Sequence, residues 1–255
     1  MGGKDGTVPK KGNGNRVFVM KIEYKGKSIT NLCEWETEIF SGAKKKHWKD
    51  GRSAKSIADF ILNKKGEQYI KDEVSKVISE DVTLKVAYPE FEVKFDKFGH
   101  GREHDLAILG KTKSGKQIFI GLEAKVDEPF GETIADAYIN AKTSELNGNN
   151  TNAPKRIEEL LKRIFGIIKK SYFQLRYQLL YSTVGTLGAD ADIHIFFVLV
   201  FNYTKQSDAV KIKNNHTDYI RFFTKLGAKN YPNSSNFETT IEGKKLISIY
   251  KKINY

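Results

Sequence analysis

Residues 100–131 read HGREHDLAILGKTKSGKQIFIGLEAKVDEPFG, and this stretch decides the fold class. Apolar and polar residues alternate in two runs, HDLAILG (104–110) and KQIFIGLEAKV (116–126), which flank a Lys-Ser-Gly-Lys turn. A period of two is typical of β-strands, and a short turn that contains glycine joins antiparallel neighbours. The stretch therefore predicts two paired strands of one sheet with Ser114-Gly115 at the turn.

Three ionisable residues share a face in this predicted pair. Alternation places Asp105 on one face of the first strand, and Glu123 and Lys125 together on one face of the second. Pairing about the turn brings Asp105 opposite the Glu123–Lys125 end. Such a group is costly on apolar strands, because the charges lose hydration and the carboxylates repel. A divalent cation removes the conflict, and oxygen ligands from Asp105, Glu123 and the backbone carbonyl near Ala124 suit Mg²⁺, with Mn²⁺ as a substitute.

An aspartate on one strand and Glu-x-Lys on the next resemble the PD-(D/E)xK, or restriction-endonuclease-like, nuclease superfamily. The motif stands as Asp105 and Glu123-Ala124-Lys125, with His104 in place of the proline. The whole stretch also resembles an uncharacterised bacterial group within that superfamily. The resemblance implies an α/β core with a mixed central β-sheet flanked by helices, and Mg²⁺-dependent cleavage of DNA. In that chemistry the ion activates a water and the phosphodiester, while Lys125 orients or deprotonates the water.

The resemblance also implies supporting residues from two helices. A polar residue from a helix after the motif commonly supports the site, and Gln178 or Arg176 fits that description, although a residue of either kind is more often an ordinary helix-surface residue. Gln178 shares a face with Gln174 by i,i+4 spacing, whereas Arg176 is turned away. The preceding helix often donates a further acid, for which Glu36 and Glu38 are candidates that the sequence does not separate.

The charge balance points to a polyanionic partner. The chain has 43 Lys and Arg against 31 Asp and Glu, a formal net charge of +12. Basic side chains that neutralise phosphates release counterions, which favours nucleic acid in a salt-dependent way. The alternative is a solvated, lysine-rich surface. Candidate nucleic-acid contacts are Lys44, Lys45, Lys46, Arg52 and Arg102.

Four neighbours of these residues have two interpretations each. Trp48 either stacks on a base beside the lysine cluster or packs inward. His104 faces away from Asp105 on a regular strand, which favours a packing or hydrogen-bonding residue over a ligand. Asp127 and Glu128 follow the motif before Pro129, where a solvated turn is favoured over a second ion site.

The remaining patterns predict a single domain over residues 16–255 behind a disordered basic tail at 1–15. Val17–Tyr24 and the turn after it suggest a hairpin, and Ser53 is a candidate helix cap. Further strands are expected at 83–95, 192–203 and 244–250, and helices from 54 and at 67–78, 131–145, 155–168, 171–184 and 207–226.

The cysteine count and the hydropathy indicate where in the cell the protein is expected. Cys33 is the single cysteine, which excludes an internal disulfide and fits a reducing cytoplasm. No apolar run reaches 18 residues, so no membrane span is expected. The sequence thus predicts a cytoplasmic Mg²⁺-dependent nuclease acting on DNA. The resemblance suggests a restriction or phage-defence role, and analogy of fold suggests action as a homodimer. The alternatives are a non-catalytic nucleic-acid-binding protein that retains the fold, and a regulatory protein that binds an acidic partner.

Overall fold

The two alternating runs of residues 104–126 form an antiparallel pair, as predicted. In the structure, a computed structural model that describes residues 19–203 and 208–255, the pairing runs from Lys111↔Gln117 beside the turn to Leu106↔Leu122. These runs are two strands of a mixed sheet with the order β2-β1-β3-β4-β5-β6-β9-β8-β7. The strands are β1 (Lys21–Tyr24), β2 (Lys27–Ser28), β3 (Val82–Val93), β4 (Arg102–Thr112), β5 (Gln117–Lys125), β6 (Ile193–Asn202), β7 (Lys229–Asn230), β8 (Phe237–Ile241) and β9 (Lys244–Asn254).

The centre of the sheet changes from antiparallel to parallel at β5. Strand β5 pairs antiparallel with β4 and parallel with β6, and β6 pairs parallel with β9. Strand β6 is apolar along almost its whole length and buried from Ile193 to Phe201, as expected for a strand covered on both faces. The carboxyl ends of β5, β6 and β9 therefore lie side by side at one edge of the sheet, where α/β proteins commonly bind ligands.

Helices cover both faces of the sheet. They are α1 (Leu32–Ile39), α2 (Ser53–Asn63), α3 (Gly66–Ile78), α4 (Ile134–Leu146), α5 (Ala153–Phe165), α6 (Tyr177–Leu187) and α7 (Ala209–Lys225). One core joins α1, α2 and α3 to the face of β5 that carries Leu122 and Ala124. A second core lies between α4–α7 and the opposite face of the sheet. The motif residues Glu123 and Lys125 belong to this second face by alternation.

Several predictions of elements are confirmed and three are wrong. The predicted helix over 171–184 is two pieces, a 3₁₀ turn (Lys170–Gln174) and α6, because Leu175 and Arg176 are extended. Ser53 is the first residue of α2 and not its cap, since the N-cap is Arg52 and has no capping side-chain bond. Strands β7 and β8 were not expected from the sequence.

The chain start is described only from residue 19. Lys21–Tyr24 and Lys27–Ser28 form the expected hairpin, and its turn places Gly26 at φ 80°. The predicted tail at residues 1–15 lies outside the described residues. Within 19–203 and 208–255, every helix is too short or too polar to cross a membrane.

Candidate active site

Asp105 lies where the backbone ladder between β4 and β5 ends. The last paired position is Leu106↔Leu122, so Asp105 is one residue beyond it and opposite Glu123. The Asp105 carboxylate oxygen Oδ2 accepts a hydrogen bond from the backbone N–H of Ala124 at 2.7 Å. A side chain thus replaces the strand backbone as the partner of β5 at this point. The other oxygen, Oδ1, accepts no hydrogen bond from any residue that the structure describes.

The carboxylate of Glu123 is the centre of a buried polar cluster. Its Oε1 lies 2.9 Å from the Lys125 Nζ and also accepts from the side-chain amide of Gln178. Its Oε2 is ion-paired with the guanidinium of Arg102. Glu123 itself is only 1% exposed, so these interactions are made away from water and each is stronger for it.

Gln178 closes the cluster from helix α6. The Lys125 ammonium donates to the Gln178 Oε1 at 3.0 Å, so this amide bonds both ends of the Glu-x-Lys pair. The extended residues Leu175 and Arg176 place Gln178 in the first turn of α6. The predicted pairing with Gln174 by i,i+4 spacing is therefore wrong, because the two residues belong to different elements.

The charges of the cluster shift one another's pKa values. Burial, and then the charge of Glu123, raise the pKa of Asp105 to about 8. Burial also opposes ionisation of Glu123, but Lys125 and Arg102 outweigh it and hold the pKa of Glu123 below its usual value. Burial disfavours the charged form of Lys125, yet Glu123 and Asp105 raise its pKa. The arrangement therefore contains an ionised glutamate, a charged lysine and a second carboxyl, Asp105, whose ionisation is disfavoured by burial and by the charge of Glu123.

Two glycines let the cluster assemble, and the sequence prediction missed them. A Cβ added to Gly121 would lie 2.6 Å from both His104 Cε1 and Thr186 Oγ1, and one added to Gly185 would lie 2.3 Å from the Arg102 Cβ. These glycines therefore permit α6 to lie directly on β4 and β5. The available signal was a glycine inside a buried strand and another inside an apolar helix.

His104 and Arg102 occupy positions that differ from the prediction. The His104 ring lies on the α6 side, 5.7 Å from the Phe119 ring, and is fully buried, so the expectation that it faces away from the site is wrong. The regular alternation of β4 is therefore interrupted near Asp105; in the adjacent β3, Glu90 has φ 49° between the pairs Pro89↔Leu106 and Phe91↔His104. Arg102 is the partner of Glu123 and not a surface phosphate contact, with its side chain 13% exposed.

The other supporting candidates lie away from the cluster. Arg176 donates to Asp218 at 2.7 Å and to the Gly131 carbonyl at 3.0 Å, which fixes the loop before α4 against α7. Glu38 is ion-paired with Lys27 at 2.8 Å. Glu36 is on the same short helix and contributes to the electrostatic field at Lys55. None of the three acts directly on Asp105 or Glu123 in the described contacts.

The predicted basic cluster is split by the fold. Lys44 donates to Glu90 at 2.8 Å and to Glu103 at 3.0 Å, so it is engaged within the protein. Lys45, Lys46 and Arg52 are exposed. Trp48 packs inward and stacks on Phe40 with ring centroids 5.2 Å apart, as its alternative interpretation predicted.

The exposed basic residues border the end of β5. Lys46 and Arg52 line a cavity of about 390 Å³ together with Glu128, three residues after Lys125. Glu128 accepts hydrogen bonds from the N–H groups of Val126 and Asp127 at 2.9 and 3.1 Å, so it closes a turn. This geometry agrees with the solvated-turn interpretation and places positive charge beside the candidate site.

Comparison with known proteins identifies a family without assigning an activity. A family model described as a domain of unknown function, DUF6946, matches residues 28–255. The chain belongs to the DUF6946 family. No curated protein and no solved structure matches it. The chemistry of this DUF6946 chain therefore has to be inferred from its own residues.

The donor set at the cluster fits a hard divalent cation. Asp105 and Glu123 supply carboxylate oxygens from adjacent strands, and Oδ1 of Asp105 is without a hydrogen bond in the described residues. The raised pKa of Asp105 reports a carboxyl that lacks a sufficient counter-charge. Within residues 19–203 and 208–255, however, three or more acidic, histidine or cysteine side chains are nowhere gathered as a preformed metal site. A cation held here would depend on two carboxylates, the Ala124 carbonyl and water, as is usual for Mg²⁺.

Proposed function

We propose that this protein is a metal-dependent nuclease that hydrolyses phosphodiester bonds in DNA. The observation that carries the proposal is the cluster of Asp105, Glu123 and Lys125 on neighbouring strands, in which Asp105 accepts from the Ala124 N–H and Gln178 joins Glu123 to Lys125. Placing these charges in a buried position costs free energy, and perturbed groups of this kind concentrate at functional sites.

Each residue has a distinct role in the proposed reaction. Asp105 and Glu123 would hold Mg²⁺ or Mn²⁺, which supplies polarisation of the phosphodiester and acidification of a water when bound. Lys125 carries its positive charge toward the developing phosphate charge and orients the attacking water. Gln178 keeps the Lys125 ammonium and the Glu123 carboxylate in one arrangement through two hydrogen bonds.

The charge distribution supports nucleic acid as the substrate class. The chain carries a net charge of +12, and the exposed Lys46 and Arg52 line a cavity with Glu128, close to the carboxyl end of β5. Lysine and arginine in such a position bind phosphates with an affinity that falls with salt. DNA as the substrate and a restriction or phage-defence role rest on the resemblance to the PD-(D/E)xK superfamily. Action as a homodimer rests on analogy of fold, and a cytoplasmic location rests on the single cysteine, Cys33.

The proposal is tested by cleavage of plasmid and linear DNA with Mg²⁺, Mn²⁺ or EDTA. Purified parent protein is compared with Glu123→Gln, Lys125→Ala and the control Lys116→Ala, which removes an exposed lysine just before β5. Cleavage that needs the divalent ion, survives in the control and is lost in the two site variants supports the proposal. Equal cleavage by the parent and Glu123→Gln identifies a contaminating nuclease and removes the main evidence.

A second candidate function is a non-catalytic nucleic-acid-binding protein that retains this fold. The Arg102–Glu123 ion pair favours it, because a guanidinium already neutralises one of the two carboxylates. Calorimetric titration with Mg²⁺ and Mn²⁺ separates the two candidates without DNA. Ion binding that disappears in Asp105→Asn supports the nuclease, whereas no binding in parent or variant together with salt-sensitive DNA binding supports the second candidate.

A further inference from the structure

A separate cavity opens beside helix α7 and strand β9, and its lining combines apolar residues with several hydrogen-bond donors. It has a volume of about 470 Å³, and its lining includes Lys213, His216, Ser235, Tyr250 and Lys252. The lining residues of this cavity include no aspartate or glutamate. A cavity with several donors and no acid favours an anionic ligand over a cation.

The inner wall of the cavity is built from hydrogen-bonding side chains. The His216 Nε2 lies 2.8 Å from the Ser235 Oγ, and the His216 ring centroid lies 5.0 Å from that of Tyr250. Tyr250 is 8% exposed, yet its hydroxyl has no hydrogen-bond partner among the described residues. The wall therefore holds a hydroxyl for which the described residues provide no acceptor. Leaving a buried hydroxyl unpaired in this way costs about 1–3 kcal/mol.

Two lysines supply the charge at the mouth of the cavity. Lys213 and Lys252 are exposed, and neither is ion-paired with a residue in the described parts of the chain. Lys251 also borders the cavity, but its ammonium is paired with Glu73 of α3 on the other side of the sheet. Free lysines above a neutral hydroxyl are the chemistry that binds a phosphate.

The register of the sheet relates this cavity to the candidate active site. Lys125 of β5 pairs with Val200 of β6, and Val200 pairs with Lys252 of β9. The three strands are parallel, so the two lysines lie at the same level and on the same side, two strand spacings or roughly 10 Å apart. That separation corresponds to about three nucleotides of a strand that rises roughly 3.4 Å per nucleotide.

We propose that the cavity of Lys213, His216, Ser235, Tyr250 and Lys252 binds a second, uncleaved phosphate of the nucleic-acid substrate. The assignment of that phosphate to a nucleic-acid strand rests on the proposed function. Binding at the cavity would fix the direction in which the strand crosses the carboxyl ends of β5, β6 and β9. The group bound is either an internal phosphodiester or a terminal phosphate, which share the same recognition chemistry.

Binding is measured in EDTA by fluorescence anisotropy of labelled single-stranded and duplex oligonucleotides over a range of salt concentrations. The background is Glu123→Gln, so the measurement does not need cleavage. The test variants are Lys213→Ala/Lys252→Ala and Tyr250→Phe, and the charge-matched control is Lys225→Ala/Lys229→Ala, which removes two exposed lysines outside the cavity. Thermal melts confirm that each variant is folded.

The lysine pair is expected to weaken binding about tenfold or more and to lower the salt slope by about one per lysine, and the control should change both less. Tyr250→Phe is expected to weaken binding severalfold. Oligonucleotides with a 5′-phosphate, a 3′-phosphate or hydroxyl ends distinguish the sources of the phosphate. Loss confined to one phosphorylated end assigns a terminal phosphate, and equal loss for all assigns an internal one.

Affinity and salt slope equal to those of the control pair would overturn the proposal. Because this assay excludes divalent ions, its result is independent of catalysis. If the parent never cleaves DNA but the double lysine variant binds more weakly, the phosphate site is supported and the nuclease function is not. If the parent cleaves DNA but the double lysine variant binds as well as the control pair, the nuclease function is supported and the phosphate site is not.

Discussion

Two ionic groups in this molecule, one partly buried and one buried, differ in how fully their charges are matched. At the first, the Arg156 guanidinium donates to both carboxylate oxygens of Asp96 at 2.8 Å. The same guanidinium lies 5.3 Å from the Phe95 ring centroid and 5.1 Å from that of Tyr181. Burial opposes the charge of Asp96, but Arg156 outweighs it and lowers the pKa of Asp96. The charge of this one acid is neutralised by the charge of this one base.

The second group, at the candidate active site, is not balanced in this way. Glu123 is ion-paired with both nearby cations, Arg102 and Lys125. Asp105 is left with a backbone N–H, and its pKa is raised to about 8 by burial and by the charge of Glu123. The comparison separates an ion pair that stabilises the fold from a cluster whose unmatched carboxyl is available for a ligand.

The largest expected effect is on cleavage. Glu123→Gln keeps the size of the side chain and removes its charge, so we expect DNA cleavage to fall by at least about 10³-fold, or roughly 4 kcal/mol of barrier. Initial rates on plasmid DNA measure the change, with Glu145→Gln near the end of α4, whose carboxylate is paired with Lys142, as the control. A fall of less than tenfold would show that Glu123 has a structural role like that of Asp96.

A smaller loss of cleavage is expected from Gln178→Ala. This amide contacts Glu123 and Lys125 without supplying charge, and loss of such a supporting contact typically lowers activity by about 10–100-fold. Rates for Gln178→Ala and Gln178→Glu are compared with that of Gln174→Ala, which changes a glutamine of the 3₁₀ turn. Equal rates for the Gln178→Ala and Gln174→Ala variants would contradict the assigned role.

Asp96→Asn is expected to act on stability and to leave cleavage unchanged. It leaves the Arg156 guanidinium in a partly buried position without its counter-charge, which lowers the free energy of unfolding by about 2 kcal/mol. Urea denaturation measures the loss. The matched control is Glu242→Gln, whose carboxylate pairs with Arg163 but is 49% exposed, and a loss below about 1 kcal/mol is expected there.

The stability difference between the parent and Asp96→Asn should depend on pH. Because the folded-state pKa of Asp96 lies below its ordinary value of 3.8, the contribution is fully present above that value. It is lost as pH falls through the lower, folded-state pKa, when the carboxylate is protonated in both states. Urea titrations of both proteins from about pH 7 down to about pH 3 should show a shrinking difference. A difference that grows toward acid pH would have the wrong sign.

The smallest expected effect has the opposite direction. Asp105→Asn removes the carboxyl that conflicts with Glu123, while its amide oxygen still accepts from the Ala124 N–H. In EDTA we expect a gain of about 1 kcal/mol, or a rise of roughly 3 °C in Tm. The exposed Asp190→Asn serves as the control and should change stability by less than about 0.5 kcal/mol. Destabilisation by Asp105→Asn would mean that the carboxylate is as well matched as that of Asp96.

Much of the sheet and of the acid–lysine motif could be predicted from the sequence. The alternation on both sides of Ser114-Gly115 predicted the pairing of β4 with β5, and the apolar run of β6 predicted a doubly covered strand. Local patterns succeed here because the side-chain period of a strand depends on the strand alone. Strands β7 and β8 were missed because β7 spans two residues and β8 lies beside solvent for part of its length.

The site around the motif was less predictable. His104 was expected on the wrong face because a strictly regular period does not anticipate an interruption of the alternation in β4. Arg102 was expected at the surface because the sequence does not show that Gly185 allows α6 to cover it. Gln178 was proposed as a supporting residue, but through a continuous helix that the extended residues Leu175 and Arg176 interrupt.

The sequence by itself determined that two strands carry Asp105 and Glu123-Ala124-Lys125 toward each other, because alternation and a short turn set that pairing locally. Only the tertiary structure decided which cations neutralise Glu123, and how far Lys252 lies from Lys125. Those relations depend on the packing of α6 against the sheet and on the order of β5, β6 and β9. Both bring together residues far apart in the chain, which no local pattern encodes.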